Sequence, residues 1–241
     1  MATDVTSDEL EPPWWRRHRG QARRRPPLSR DAIVAAALAI VDAEGVDALT
    51  IRRLGQELDT GSASLYWHIA GKDQLYELVY DRIMGEIELP DLDPSRWEEQ
   101  LKELIRRAYR VVLAHNDAVR MGIGRPPAGP NALRVVEWML ALTRSAGVPD
   151  GAAASFGNIL GRYLDASILE ATMAVTPHEH DEPGEGLQRM REYWASLPAD
   201  QFPNIRAVAD ATFDDDALDA LFEFGLDLLV RGLAAFREAP R

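Results

Sequence analysis

The spacing of apolar residues constrains the fold of this chain more than any other feature. From Ser29 onward these residues recur at intervals of three and four, which is the repeat of one face of an α-helix. No segment shows the period-two alternation of a half-buried β-strand. The first helical stripe consists of Ile33, Ala36, Ala37, Ile40 and Val41. The pattern predicts an all-α fold, and a chain of 241 residues that is 46% hydrophobic can bury a core.

Capping residues and helix breakers predict where the helices begin and end. Ser29 and Thr50 are suitable N-caps, and Gly45 and Pro90 are suitable stops. Four helices are predicted before Pro90, and further helices over residues 94–115, 117–123, 132–146, 150–174, 185–197 and 214–238. We divide the chain into an N-terminal arm, a helix-turn-helix domain and a larger helical domain, which are residues 1–27, 28–89 and 90–241.

Two short predicted helices are separated only by Asp59, Thr60 and Gly61. They must turn sharply against each other, as in a helix-turn-helix. The second helix carries small or hydrogen-bonding side chains except at Leu65, which is expected to pack inward against Leu54. A single helix fits the major groove of DNA, which is about 12 Å wide. The pair therefore predicts a DNA-reading element.

Charge is unevenly distributed along the chain, whose formal net charge is -12. Residues 12–80 carry ten basic and eight acidic residues, whereas residues 91–241 carry 16 basic and 24 acidic ones. A polyanion is therefore expected at the N-terminal third, and a protein that coats DNA with its whole surface is disfavoured. Within the arm, RRHRGQARRR at residues 16–25 is either a DNA-contacting segment or a solvated tail, and the adjacent helix-turn-helix favours the first alternative.

The segment TIRRLGQELDTGSASLYWHIAGK, residues 50–72, resembles the DNA-binding motif of the tetracycline repressor (TetR) family of transcriptional regulators. The resemblance extends, in the same order, to the first helix, to the helix that begins near Trp97 and to FEFGLDLLVRGL at residues 222–233. It implies a helix-turn-helix domain followed by a larger helical domain for ligand binding and dimerisation. The implied function is that of a cytoplasmic, non-enzymatic regulator, which binds palindromic double-stranded operator DNA as a homodimer and is released by a small-molecule effector. Repression is the common outcome in this family, and activation is the alternative.

The resemblance also implies roles for single residues of the motif. Base- or backbone-reading positions correspond to Arg52, Ser62, Ala63, Ser64 and Tyr66, and phosphate-contacting positions correspond to Thr50, His68 and Lys72. Arg52 can form the bidentate pair with guanine, while Thr50 is equally suited to cap its helix. Trp67 is expected to pack in the core behind the recognition helix. Asp59 departs from the glycine usual in the turn, but aspartate tolerates the left-handed conformation.

For the larger domain the resemblance implies an effector pocket formed by Leu104, Ala108, Gly122, Arg125 and Trp138. The family's magnesium-ligating histidine is replaced, so no metal or other cofactor is expected. A larger apolar or aromatic effector fits better than a chelated one, and it is anionic if Arg125 faces inward; otherwise Arg125 is surface charge. The helix from Lys72 to about Glu88 is expected to be the only continuous rod that transmits a shift to the DNA-reading helices. The broad apolar surface of the last helix predicts a dimer contact.

A helical metal-dependent enzyme is the main alternative class. His178, Glu179, His180, Asp181 and Glu182 can ligate a metal, but their acidic, Pro-bounded loop offers no rigid helix to fix them. The lack of cysteine excludes disulfides and Cys-ligated zinc. The acidic N-terminus predicts no secretory signal, and the longest uncharged stretches fall short of the roughly 18 residues of a membrane span.

Overall fold

The computed structural model describes residues 28–175, 185–213 and 217–237. Within these ranges every regular element is a helix, which confirms the all-α expectation. The α-helices are α1 (Arg30–Glu44), α2 (Ile51–Glu57), α3 (Ser62–Tyr66), α4 (Lys72–Met84), α5 (Trp97–Leu113), α6 (Val119–Gly122), α7 (Pro130–Ser145), α8 (Asp150–Val175), α9 (Glu185–Ser196), α10 (Pro203–Thr212) and α11 (Ala217–Ala234). Short 3-10 helices precede α2 and α5, at Val46–Ala48 and Pro94–Arg96. In the part of the chain described, no helix is long and apolar enough to cross a bilayer.

The first two helices begin at the caps that the sequence predicts. The Ser29 hydroxyl accepts a hydrogen bond from the Ala32 N–H at 3.1 Å, and the Thr50 hydroxyl accepts one from the Arg53 N–H at 3.0 Å. Each bond satisfies a backbone donor that has no partner within its helix. Gly45 ends α1 with a φ of 81°, a left-handed conformation that favours glycine. These two capping hydrogen bonds therefore determine where α1 and α2 begin.

Helices α2 and α3 form the predicted helix-turn-helix. Asp59 has a φ of 48°, so an aspartate takes the left-handed position of the turn. Gly55 allows the chain to return closely, because a Cβ there would lie 2.9 Å from the Thr60 carbonyl oxygen. Leu54 and Leu65 are fully buried, as predicted. The turn thus orients α3 with Leu65 toward the core.

Helix α4 is shorter than predicted. It ends at Met84 rather than near Glu88, and Gly85 forms its C-cap. The chain then leaves the helical path, and the Ile87 carbonyl oxygen accepts a hydrogen bond from Arg134 of α7 at 2.8 Å. A tertiary hydrogen bond replaces the last predicted turn of the helix.

The C-terminal helices share one core with the N-terminal ones. α5 supplies its apolar face, with the buried residues Trp97, Leu101, Leu104, Ile105, Ala108 and Val112. α7, α8 and α11 pack on α5, and the rings of Tyr109 and Phe222 stack with centroids 4.2 Å apart. α11 has two apolar faces: Phe222, Leu226, Val230 and Leu233 are buried, whereas Leu218, Leu221, Phe224 and Leu228 are exposed. The predicted breadth of its apolar surface is confirmed.

Helix α10, which the apolar spacing does not predict, packs against α9. Its large apolar residues are only Ile205 and Val208, too few to make the periodicity visible. The ring of Trp194 meets that of Phe213 edge to face, with centroids 4.8 Å apart. Tertiary contact with α9 therefore stabilises a segment with a weak local signal.

Some predictions fall outside the described residues. They concern the basic arm (residues 1–27), the acidic loop with its candidate metal ligands (residues 176–184), and residues 214–216 and 238 of the predicted final helix. Within the described residues α11 ends at Ala234, about one turn earlier than predicted.

Candidate DNA-reading surface and its connections to the C-terminal helices

Helix α3 buries one face and exposes the other. Leu65 is fully buried, whereas Tyr66 is 55% exposed. Ser62, Ala63 and Ser64 are exposed as well. Because these three side chains are short, the helix can approach the edges of base pairs closely.

The adjacent residues Arg52 and Arg53 have different surroundings. Arg53 pairs with Glu44 through Nη2 at 2.6 Å and with Glu57 through Nη1 at 2.9 Å. The hydrogen bonds to these carboxylates raise the pKa of the Arg53 guanidinium. The Arg52 side chain has no hydrogen bond or ion pair with a described residue, and with Ser62 it lines a shallow depression of about 540 Å³ where α2 meets α3. Arg53 therefore joins α2 to the end of α1, whereas the Arg52 side chain faces solvent.

The prediction that Trp67 packs in the core was wrong, because its side chain is 88% exposed. The buried residue after Leu65 is Ile69, which is 1% exposed and donates its N–H to the Leu65 carbonyl oxygen. Ile69 lies four positions after Leu65, so helical spacing indicates it rather than Trp67 as the next core residue. The indole is left in solvent beside the recognition helix.

The residues predicted to contact phosphate lie at the ends of short elements. Thr50 caps α2, and Lys72 begins α4 with its ammonium 5.1 Å from the centroid of the Tyr76 ring. His68 follows α3 and is half-buried. Capping by Thr50 is compatible with a phosphate contact, because the cap uses only one lone pair of its hydroxyl.

Arg125 does not face the interior of the C-terminal helices. Its Nη2 lies 2.7 Å from Asp73 Oδ1 and its Nη1 3.2 Å from Glu77 Oε1, and both carboxylates are on the exposed side of α4. The hydrogen bond to Asp73 raises the pKa of Arg125. The premise for an anionic effector, an inward Arg125, is therefore not met in this structure. The residue instead ties the segment after α6 to α4.

Helices α6 and α7 both contact α4. A Cβ on Gly122 of α6 would fall 2.5 Å from the Tyr80 ring of α4, so only glycine permits this approach. Asp81 accepts a hydrogen bond from the Ala132 N–H at the start of α7, at 2.9 Å. Burial, reinforced by the Asp165 carboxylate, raises the pKa of Tyr80. A movement of α6 would therefore displace α4.

A second connection joins α1 and the turn after it to the C-terminal part. The His115 imidazole lies between Asp42 of α1 and Glu86 of the α4–α5 connection, at 2.9 Å and 3.2 Å. Arg120 of α6 pairs with Asp47, which follows α1, at 2.9 Å. Helix α4 is therefore not the only contact between the two parts, because the α5–α6 junction contacts α1 and the turn after it directly. Transmission of a shift through α4 stays a prediction.

Three residues of the predicted effector pocket lie in the C-terminal core. Leu104 and Ala108 are buried on α5, and Trp138 is buried on α7. The Trp138 indole N–H donates to the Pro90 carbonyl oxygen at 2.7 Å, which ties α7 to the α4–α5 connection. Gly122 lies at the edge of this core, against α4. Among the described residues, no group of three or more histidine or carboxylate side chains is placed to hold a metal ion.

Both parts of the chain match known sequence families. Residues 33–79 match the family described as bacterial regulatory proteins, tetR family. Residues 89–237 match the tetracyclin repressor-like C-terminal domain. Together the two matches cover the helix-turn-helix and nearly all of the helices that follow it.

Whole-length relatives and a solved structure agree with these matches. An HTH-type transcriptional regulator of Saccharopolyspora erythraea is 32% identical over 221 residues, which cover 92% of this chain and 91% of that protein. The HTH-type transcriptional repressor DrrR1 of Streptomyces coeruleorubidus is 30% identical over 93% of this chain and 84% of its own length. The crystal structure of the Streptomyces coelicolor TetR family protein ActR in complex with actinorhodin has a TM-score of 0.82 and 41% identity, and covers 88% of this chain and 98% of that one. The helix-turn-helix, the helical C-terminal part and these alignments together establish that the chain belongs to the TetR family of bacterial transcriptional regulators.

Proposed function

We propose that this protein is a repressor that binds an inverted-repeat operator as a homodimer and leaves it when a small molecule binds. The observation that carries the proposal is the exposed face of α3, with its short side chains, beside the solvent-facing Arg52. One recognition helix reads only a few base pairs, and two related by a twofold axis can enter successive major grooves about 34 to 36 Å apart. The repressor function of the relative DrrR1 supports repression over activation.

Each residue of the reading surface has a proposed role. Arg52 pairs with guanine, and the α3 residues Ser62, Ala63, Ser64 and Tyr66 approach base edges and the backbone. Thr50, His68 and Lys72 contact phosphates on either side, which positions the helix without specifying sequence. The protein acts in the cytoplasm. The boundary between the helix-turn-helix domain and the larger helical domain lies between residues 89 and 90.

The homodimer forms through α8 and α11, which pack side by side. Both carry exposed apolar side chains: Ile159 on α8 is 51% exposed, and Leu221 and Leu228 on α11 are 56% and 55% exposed. Apolar surface of this kind on adjacent helices is typical of a protein contact. Association through a common face gives the twofold symmetry that an inverted repeat requires.

The effector binds among α5, α7 and α8, against Leu104, Ala108 and Trp138. The apolar character of these residues favours a large apolar or aromatic compound over a chelated metal complex. Gly122 stands where bound effector would press α6 against Tyr80 of α4. A ligand that prefers the shifted arrangement changes the separation of the two recognition helices and lowers operator affinity. That ActR was crystallised in complex with actinorhodin supports a small-molecule effector for this protein.

Footprinting on DNA that flanks the protein's own gene tests the proposal. We expect protection of an inverted repeat, loss of protection when one half-site is scrambled, and release by actinorhodin, the probe with which ActR was crystallised. Linkage requires the operator to weaken actinorhodin binding by the same factor. Protection of a single half-site with unchanged affinity would contradict the dimeric mode, and no protected site would contradict DNA regulation at this locus.

A further inference from the structure

His115 stands where three segments of the protein meet. It follows α5 and precedes α6, and its side chain is only 12% exposed. Its Nδ1 lies 2.9 Å from Oδ1 of Asp42 on α1, and its Nε2 lies 3.2 Å from Oε2 of Glu86 in the α4–α5 connection. The ring therefore bridges α1 of the helix-turn-helix domain, the connection that follows α4, and the junction between α5 and α6.

The geometry selects one protonation state of this ring. Both nitrogens face carboxylate oxygens, and only the imidazolium carries a proton on each nitrogen. A neutral ring donates to one carboxylate and directs a lone pair at the other. Partial burial lowers the pKa of His115, but the hydrogen bonds to Asp42 and Glu86 outweigh it, so the pKa lies above its ordinary value.

The charged groups around the ring belong to each element that packs against it. Asp42 faces it from α1 and Glu86 from the α4–α5 connection. On the His115 side of the junction, Asp117 pairs with Arg120 of α6, which also pairs with Asp47. The two carboxylates that contact the ring thus have the imidazolium as their cation, while the neighbouring acids are neutralised by Arg120.

We propose that His115, as the imidazolium, is a positioning residue for operator binding. Its contacts with Asp42 and Glu86, which we call the latch, hold α1 against the α5–α6 junction, and deprotonation of the ring weakens them. The inference rests on the proposed repressor function. Because α1, α2 and α3 share one core, holding α1 also limits the directions in which α3 can point. A domain held in this way loses less conformational freedom when it enters the operator, and so binds more tightly.

The sign of the pH dependence follows from the raised pKa. A group whose pKa is higher in the folded than in the unfolded protein favours the folded arrangement fully below its unfolded value, about 6.5 for histidine. This contribution is lost as the pH rises through the folded-state pKa. Operator affinity should therefore be highest near pH 6 and should fall as the pH rises toward 8.5.

The experiment measures operator affinity by fluorescence anisotropy from pH 6 to 8.5 at constant ionic strength, with the full-length protein. We expect the affinity of the unmodified protein to fall by about threefold per protomer, the factor typical of a partly exposed ion pair. His115→Gln should give a flat profile at the high-pH affinity. Asp42→Asn and Glu86→Gln should each move the transition to lower pH, because each removes a charge that favours the imidazolium.

His68 supplies the matched control, because it is a second histidine near the reading surface. His68→Asn should weaken binding at every pH and keep the pH dependence. The latch is disproved if His115→Gln keeps the dependence, if His68→Asn abolishes it, or if the unmodified protein binds equally at all pH values.

A second measurement separates failure of the latch from failure of the proposed function. NMR titration of the His115 ring in the free protein should give a raised pKa that falls in Asp42→Asn. If the ring titrates so and no inverted repeat is bound at any pH, the repressor proposal has failed while the latch contact stands; an unshifted ring disproves the latch itself.

Discussion

At the scale of single residues, adjacent positions of the reading domain have opposite roles. Arg53 is held by Glu44 and Glu57, whereas Arg52, one position earlier, faces solvent at the α2–α3 junction. Successive side chains on a helix point about 100° apart, so two neighbours rarely share an environment. Residue type alone therefore does not separate a DNA-reading arginine from a bracing one.

Replacement of Arg52 by alanine tests this difference. If Arg52 pairs with guanine, Arg52→Ala should relax specificity at one symmetric operator position and cost about 1 to 3 kcal/mol per contact. Arg53→Ala is the control, since it should reduce the free energy of unfolding and leave sequence preference unchanged. Selection from a randomised operator library measures the sequence preference of both variants, and urea unfolding measures their stability. An unchanged preference in Arg52→Ala would show that this residue does not read a base.

The exposure of Trp67 makes a second prediction. A buried tryptophan costs about 3 to 5 kcal/mol when truncated to alanine, whereas a surface substitution usually stays within about 0.5 kcal/mol. Because Trp67 is 88% exposed, Trp67→Ala should leave the free energy of unfolding in urea nearly unchanged. Trp97→Ala, at a residue that is 3% exposed, is the matched control and should unfold at much lower urea. Similar losses in both variants would contradict the structure.

At the scale of elements, the α4–α6 contact links the effector side to the reading helices. Gly122 and Tyr80 meet at a distance that leaves no room for a methyl group. Close-packed elements of this kind move together, since neither can be displaced without disturbing the other. A small change in volume at this contact should therefore alter DNA binding.

The variant Gly122→Ala measures this coupling. Its Cβ would fall 2.5 Å from the Tyr80 ring, so we expect a cost of about 1 to 3 kcal/mol in stability and an altered operator affinity. Shortening the facing side chain in the double variant Gly122→Ala/Tyr80→Leu should restore part of the stability and part of the original operator affinity. Gly151→Ala is the control, because a Cβ there meets nothing within 4 Å. Equal behaviour of Gly122→Ala and Gly151→Ala in urea unfolding and gel shift would refute the coupling.

At the scale of the whole molecule, the surfaces of the two halves differ. The C-terminal part, residues 91–241, is acidic and carries exposed apolar side chains on α8 and α11, whereas residues 12–80 carry ten basic and eight acidic residues. An acidic surface repels DNA, and an apolar one favours contact with another protein chain. The charge distribution and the apolar faces together suit a dimer that presents only its N-terminal ends to the operator.

The dimer contact is tested by Leu221→Glu combined with Leu228→Glu. Burying two carboxylates in an apolar contact is costly, so sedimentation should find monomers, and operator affinity should fall because one monomer holds only one half-site. Leu133→Glu alters an exposed leucine of α7, 49% exposed, and should leave the dimer intact. A dimer that persists in the double variant would place the contact elsewhere.

The basic arm adds a prediction that depends on the sequence alone. Six arginines lie within residues 16–25, and each phosphate neutralised steepens the plot of log affinity against log salt by about 0.9. Deletion of residues 1–27 should therefore flatten the salt slope by several units while the preferred operator sequence stays the same. Equal slopes for the full-length and truncated proteins would identify the arm as a solvated tail.

The sequence by itself determined the features that depend on near neighbours. The helical repeat, the caps at Ser29 and Thr50 and the turn at Asp59 act over three or four residues, so the helices and the helix-turn-helix could be predicted. The inward position of Leu65 follows from the same spacing. Local signals thus placed Arg52 on α2 and Ser62, Ala63, Ser64 and Tyr66 on α3. Their roles in reading DNA came from the resemblance to the TetR family, and their contacts with bases remain predictions.

Only the tertiary structure decided the features that depend on distant partners. α4 ends early because Arg134 of α7 bonds to Ile87, and Arg125 turns outward because Asp73 and Glu77 of α4 attract it. The position of His115 between two carboxylates requires segments 73 and 29 residues away in the chain. No local pattern encodes such pairs, because packing of the whole core brings them together, and the contacts that join DNA reading to effector binding are of this kind.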